Sequence, residues 1–206
     1  MHLEFLVEEL SAEAALYNLV PKILGEQISF VIHSYRGKSD LLNKLSGRLK
    51  GYAGWLPEEY QIVVLIDEDR EDCNQIKMQL EDAALEAGLV TKTKARPGTE
   101  FQVLNRVAIE ELEAWFFGDV PALVRAYPRI PQSLDQKARY RNPDTIAGGT
   151  WEALERILQQ YGYYKGGLEK PRAAGEISQH MDPFRNRSKS FQVFRDGLLA
   201  IVKRHK

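Results

Sequence analysis

The carboxylates are the residues of this sequence best placed to do chemistry. Glu8 and Glu9 directly follow the apolar stretch 2–7, and Asp67, Glu68 and Asp69 directly follow a second one, 61–66 (QIVVLI), with Glu71 and Asp72 close behind. Adjacent side chains of an extended segment point to opposite faces, so Asp67 and Asp69 can share a face that Glu68 does not. A D-x-D pair of that kind can grip one hard cation. Carboxylates converging at a dry strand end repel one another by kilocalories unless neutralised, and Mg²⁺, about 2.1 Å from its oxygen ligands, is a common neutraliser. The competing reading is a solvated helix start, because Glu71 and Asp72 also suit the positive end of a helix dipole. A third acidic group, Glu110, Glu111 and Glu113, opens an expected short helix over 110–117, where Glu110 and Glu113 share a face.

The elements that position these groups follow from hydrophobic periodicity. Residues 2–7 read as a strand, and Ser11 stands where an N-cap would precede a helix with apolar positions Leu16, Leu19, Val20, Ile23 and Leu24. A second strand is expected at 27–33 (QISFVIH), followed by a helix over 39–49 capped by Ser39. The continuous apolar run 61–66 predicts a strand buried on both faces, and the helix 74–87 is closed by Gly88. After the turn signal Arg96-Pro97-Gly98 a fourth strand is expected within 100–109. Strands alternating with helices predict an α/β fold with a mainly parallel sheet flanked by helices. Both Glu8 and Asp67 would then lie at carboxyl ends of strands, where open parallel sheets bind their ligands.

Beyond residue 118 the pattern changes to short helices broken by Pro121, Pro128, Pro131 and Pro143, then a longer helix capped by Thr150 and a final one over 190–203. Two parts are expected: an α/β core over 1–118 and a basic, mostly helical C-terminal extension over 119–206 packed on it. The net charge of −1 conceals this division. Residues 136–206 hold 14 Lys and Arg against 7 Asp and Glu, a balance of +7, which leaves 14 basic and 22 acidic residues in 1–135, or −8. Lys137, Arg139, Arg141, Arg185, Arg187 and Lys189 are candidates to neutralise phosphates, and Tyr161, Tyr163 and Tyr164 to stack on unpaired bases or simply to pack.

Arg36-Gly37-Lys38-Ser39 invites a P-loop reading that the spacing refuses. A P-loop needs glycine five positions before Gly37, and that residue is Ile32. His33, Arg36 and Lys38 nevertheless follow the second strand on the rim shared with the acidic groups, and are candidate contacts for a substrate phosphate.

Taken together, LVEE, HSYRGKSDLL, LIDEDRED and IEELEAWFFGD resemble the Toprim domain of topoisomerases, primases and small nucleases, and more closely the small bacterial Toprim-like proteins grouped as a domain of unknown function, DUF4276. The resemblance implies a Toprim-like, Rossmann-like core, with Glu8, Asp67 and Asp69 as ligands of Mg²⁺ or Mn²⁺ and Glu8, Asp67, Asp69, Glu113 and Lys38 as catalytic residues. It implies phosphodiester chemistry on DNA or RNA and, for some relatives, an ABC-type ATPase partner in bacterial defence. A non-catalytic interaction subunit of such an ATPase complex is the alternative. In Toprim domains the glutamate is followed by glycine, and here Glu9 stands in its place.

Composition excludes other classes. With 44% hydrophobic and 28% charged residues the chain is neither disordered nor fibrous, and one cysteine makes neither a disulfide framework nor a Cys-rich zinc site. No apolar run approaches a membrane span and no signal peptide is evident, so a cytoplasmic protein is expected.

Overall fold

The computed structural model describes residues 1–96 and 98–202. Pro97, at the centre of the expected turn, and Lys203, the expected end of the last helix, lie outside the described residues. Four strands, β1 (His2–Val7), β2 (Ser29–Ser34), β3 (Tyr60–Asp67) and β4 (Val103–Ala108), form an all-parallel sheet in the order β2-β1-β3-β4. Helices α1 (Leu10–Leu24), α2 (Lys38–Ala53) and α3 (Cys73–Glu86) make the crossovers. The fold is therefore α/β and Rossmann-like, as the alternation of strands and helices requires.

Strand alternation divides the core between two layers. Leu3, Phe5, Val7, Val63 and Leu65 face α1 and the C-terminal helices, whereas Leu6, Ile62, Val64 and Ile66 face α2 and α3. The C-terminal part comprises α4 (Glu113–Phe117), α5 (Val120–Ala126), three 3₁₀ turns between Gln132 and Thr145, α6 (Thr150–Gln160), α7 (Lys170–Ser178) and α8 (Lys189–Val202). Its apolar residues, among them Trp115, Leu154, Ile177 and Phe194, belong to the same buried cluster as Phe5 and Leu16. The sheet's first layer is thus completed by the second half of the chain.

The helix starts differ from expectation in a consistent way. Ser11, Ser39 and Thr150 all lie inside their helices, and the capping positions are Glu9, Gly37 and Gly149, none with a side-chain cap bond. Gly37 and Gly149 have φ of 93° and 85°, so the chain turns into each helix in a backbone conformation that suits glycine. Asp72 does cap α3, accepting from the Asn74 amide at 2.8 Å.

Most of the IEELEAWFFGD segment ties the two halves together. Trp115 is fully buried, donates through Nε1 to Ser190 Oγ at 3.0 Å, and packs its ring on Phe191 and Phe194. The Asn186 amide donates to the Trp115 carbonyl at 2.7 Å, and a Cβ at Gly118 would fall 2.0 Å from Asn186 Oδ1. Asp119 accepts from the Ala122 and Asp182 amides and pairs with Arg185 at 3.0 Å. Because Asn186 and the Ser188 amide crowd the missing Cβ, Gly118→Ala is expected to cost about 1–3 kcal/mol, read as a lower urea midpoint with an unchanged slope.

Candidate active site

The strand order reverses at β1: β2 lies on one side of it and β3 on the other. The crevice at the carboxyl ends of β1 and β3 is the place where such sheets bind ligands. Glu8, one residue past β1, and Asp67, the last residue of β3, meet there, with Glu8 Oε2 accepting from the Asp67 amide at 3.1 Å.

Asp67 and Glu113 are both buried, at 8% and 1% exposure. Burial, then the Glu113 and Glu8 charges, raise the Asp67 carboxyl well above its usual range despite a bond from the Leu112 amide. Burial likewise pushes Glu113 up to about 7. Its Oε2 is buried without a hydrogen-bond partner. Burial also raises Glu8, partly offset by its bond from the Asp67 amide.

Two ammonium groups balance these charges. Burial alone would depress Lys170, the second of them to appear in the fold, but the surrounding carboxylates of Glu113, Glu9, Glu111 and Asp67 outweigh it and hold the group charged. Lys170 Nζ lies 3.8 Å from Glu9 Oε1 and 5.1 Å from the centre of the Trp151 ring. Lys38 bonds Asp69 Oδ2 at 2.7 Å, Glu71 Oε1 at 3.0 Å and the Glu68 carbonyl at 3.0 Å.

The expected D-x-D geometry is corrected here. The chain leaves β3 at Asp67 and turns, so that Asp69 has φ of 55°, is exposed, and points to Lys38. The cause is a clasp between two loops: the Glu68 amide bonds the Ala108 carbonyl, the Asp69 amide bonds the Glu110 carbonyl, and Glu68 Oε2 accepts from the Glu110 amide. The same clasp gives Glu110 a φ of 61° and delays α4 to Glu113. Glu110 and Glu113 therefore do not share a helix face. Glu111 instead reaches α6, accepting from the Thr150 and Trp151 amides at 2.9 and 2.8 Å and from Thr150 Oγ1. It supplies the cap that Thr150 does not.

Glu8, Asp67 and Glu113 are thus brought together, Glu9 joins them, and Asp69 and Lys38 form a pair at the rim. Lys170 is the member that sequence reasoning missed. Its one signal is position, since a lysine in the first turn of a helix opposes the dipole and so wants local carboxylates. Among the described residues no three His, Cys, Asp or Glu side chains are grouped as a ready metal site. The donor chemistry still suits Mg²⁺ or Mn²⁺: the donors are hard carboxylate oxygens, and one of them, on Glu113, is buried without a partner.

The expected phosphate contacts are scattered. His33 bonds Glu4 at 2.7 Å and receives Arg48, while Arg36 is exposed at the rim beside Asp40. Arg139 donates to the Ala147 carbonyl next to the Gly148–Gly149 turn, Arg141 to the Gln136 carbonyl, and Lys189 Nζ to Gln192. The tyrosine loop packs: Tyr163 and Tyr164 lie against Tyr127, whose hydroxyl donates to Glu176 at 2.7 Å. Beside the carboxylates, a cavity of about 590 Å³ is walled by Asp69, Arg70, Glu110, Glu111, Gly149 and Trp151.

The fold and site define an α/β protein with a buried carboxylate cluster at the reversal of strand order. The chain belongs to the family described as Domain of unknown function (DUF4276), whose profile matches residues 7–199 and so spans both halves of the structure. No curated protein and no solved structure matches it. Among the described residues no helix is long and apolar enough to cross a membrane.

Because Glu113 titrates near 7 in the fold against 4.5 for an ordinary glutamate, its contribution to stability is complete below pH 4.5 and is lost as pH rises to 7. The loss is on the order of 3 kcal/mol. Glu113→Gln is therefore expected to flatten the decline in melting temperature between pH 5 and pH 8 in EDTA. An equal slope in both proteins would remove Glu113 as its source.

Proposed function

We propose that this chain is a Toprim-like, Mg²⁺- or Mn²⁺-dependent nuclease or related phosphodiester-transfer enzyme acting on DNA or RNA. The observation that carries the reading is the buried pair of Asp67 and Glu113 with the half-buried Glu8 beside them at the strand-order reversal, one Glu113 oxygen being unpartnered. Glu8, Asp67 and Glu113 would hold the ion, with Asp69 able to join on release from Lys38. A bound divalent ion supplies charge neutralisation at a phosphoryl oxygen and a more acidic water.

The chain's own groups have separate roles in this reading. Lys38, at the start of α2, holds a positive charge at the mouth of the crevice and can take a phosphate in place of Asp69. The Glu113 carboxyl, raised to about 7 by burial, would give up its proton on taking the ion, so that occupation of the site is coupled to proton release near neutrality. Lys170 neutralises the carboxylates that face it and can turn to a phosphodiester oxygen. The shared core fixes these groups relative to one another.

A second reading is favoured by one observation: Lys38 and Lys170 already answer much of the acidic charge. In that reading the chain is a non-catalytic interaction subunit, its partner an ABC-type ATPase. Calorimetry with Mn²⁺ and cleavage assays on single- and double-stranded DNA and RNA separate the two. The enzyme reading expects carboxylate-dependent binding of Mn²⁺ and cleavage that falls by about 10²-fold or more in Asp67→Asn and Glu8→Gln. No binding at millimolar Mn²⁺, or cleavage that survives both substitutions, overturns it.

A further inference from the structure

A groove on the α2 side of the sheet lies outside the carboxylate cluster and leads to it. A cavity of about 580 Å³ is lined by Glu4, Val31, His33, Arg48, Tyr52 and Trp55, with Gly47 and Gly51 of α2 forming part of its wall. A second cavity, of about 440 Å³, shares His33 and Arg48 with the first and continues past Lys44 to Arg36 at the carboxyl end of β2. That end is the rim of the candidate site, because the Gly37 amide bonds the Glu8 carbonyl at 3.0 Å and Lys38 bonds Asp69. The line of α2 residues from Asp40 to Gly51 makes the groove roughly 16 Å long.

Three observations give the groove a chemistry. First, residues 36–53 hold Arg36, Lys38, Lys44, Arg48 and Lys50 against the single acid Asp40, a balance of +4 inside the acidic half of the chain. Arg36, Lys44 and Arg48 are exposed along the groove. Second, Trp55 is 58% exposed at the far end, its ring braced by Tyr52 and Tyr60 at centroid distances of 5.6 and 6.2 Å. An aromatic face held by its neighbours yet open to solvent is a stacking platform. Third, Gly47 and Gly51 weaken the interior of α2 relative to alanine, yet a Cβ at either would meet nothing within 4 Å. Neither packing nor a positive φ demands glycine there. Their effect is to leave the helix backbone open to close approach from the groove.

A row of cations ending at an open aromatic ring fits a polyanion whose bases are free to stack, that is, an unpaired nucleic-acid strand. A duplex keeps its bases from the ring. The carboxylate of Glu4 does not oppose this, since it is buried and bonded by His2, His33 and the Tyr52 hydroxyl. Asp40 is paired with Lys44 at 2.6 Å.

We propose that this groove is the track for a single-stranded nucleic acid, with phosphates on Arg36, Lys44 and Arg48 and a base on Trp55, leading the strand to the carboxylate crevice. The inference rests on the nucleic-acid reading of the site but is tested without metal. Fluorescein-labelled dT₂₀ is titrated with the full chain in EDTA, by anisotropy, at several salt concentrations. Trp55→Ala is expected to weaken binding by about 10-fold. Arg48→Ala is expected to weaken it and to make the slope of log affinity on log salt shallower by about 0.7. Gly51→Ala is expected to raise the melting temperature by about 2–4 °C while weakening binding, a combination that damage to folding does not produce. Unchanged affinity in Trp55→Ala and Arg48→Ala, or a duplex of the same length bound as tightly, overturns the track and leaves the carboxylate site standing. Groove-dependent binding in EDTA, with no cleavage by the native chain when Mg²⁺ or Mn²⁺ is then supplied in excess, supports the track and overturns the enzyme reading.

Discussion

The constraint on which this molecule turns is the burial of carboxylates at one point of the sheet. Asp67 and Glu113 are withdrawn from water beside Glu8, where a bare negative charge is costly and several together more so. Protons, ammonium groups or a bound cation must answer that charge, and the fold makes provision for each. Glu113 keeps its proton up to about 7, Lys170 comes from α7, and Lys38 from the start of α2 draws off Asp69. A cluster kept dry and partly unpaired at the strand-order reversal has little structural use, which is why it supports a catalytic reading.

That provision explains why the two halves of the chain share a core. Glu113 sits at the head of a buried segment whose Trp115, Gly118 and Asp119 are locked to residues 182–190, and Glu111 caps the helix that carries Trp151. Lys170 reaches the crevice because α7 packs along α1. The charge split along the chain has a partner in the structure: a basic C-terminal part contributes a cation to an acidic crevice. A second basic region, on α2, lies within the acidic half and is invisible in the totals for either half.

The alternation of apolar strands and helices was legible because its periods, 2 and 3.6, are local properties of the chain. The positions of Glu8 and Asp67 at strand ends followed from the same patterns, and the family resemblance drew attention to Glu113. Local patterns failed where a distant segment set the backbone. Asp69 was expected beside Asp67, but the bonds from the 67–69 segment to Ala108 and Glu110 turn it away. Thr150 was expected as a cap, but Glu111, 39 residues earlier, takes that function. Tyr163 and Tyr164, open in the sequence to either base stacking or packing, pack on Tyr127, and Tyr164 shares Glu176 with it.

By itself the sequence determined the fold class, the carboxylate-bearing strand ends and the family, since each depends on residue type and spacing along a continuous segment. Only the tertiary structure decided which carboxylates share the crevice, that Lys170 neutralises them, and that the α2 groove opens beside them. The physical reason is that charge interactions and burial depend on separation in space. Residues 8, 67, 113 and 170 become neighbours only when parallel strands, a loop clasp and a helix from the far end of the chain converge on one edge of the sheet.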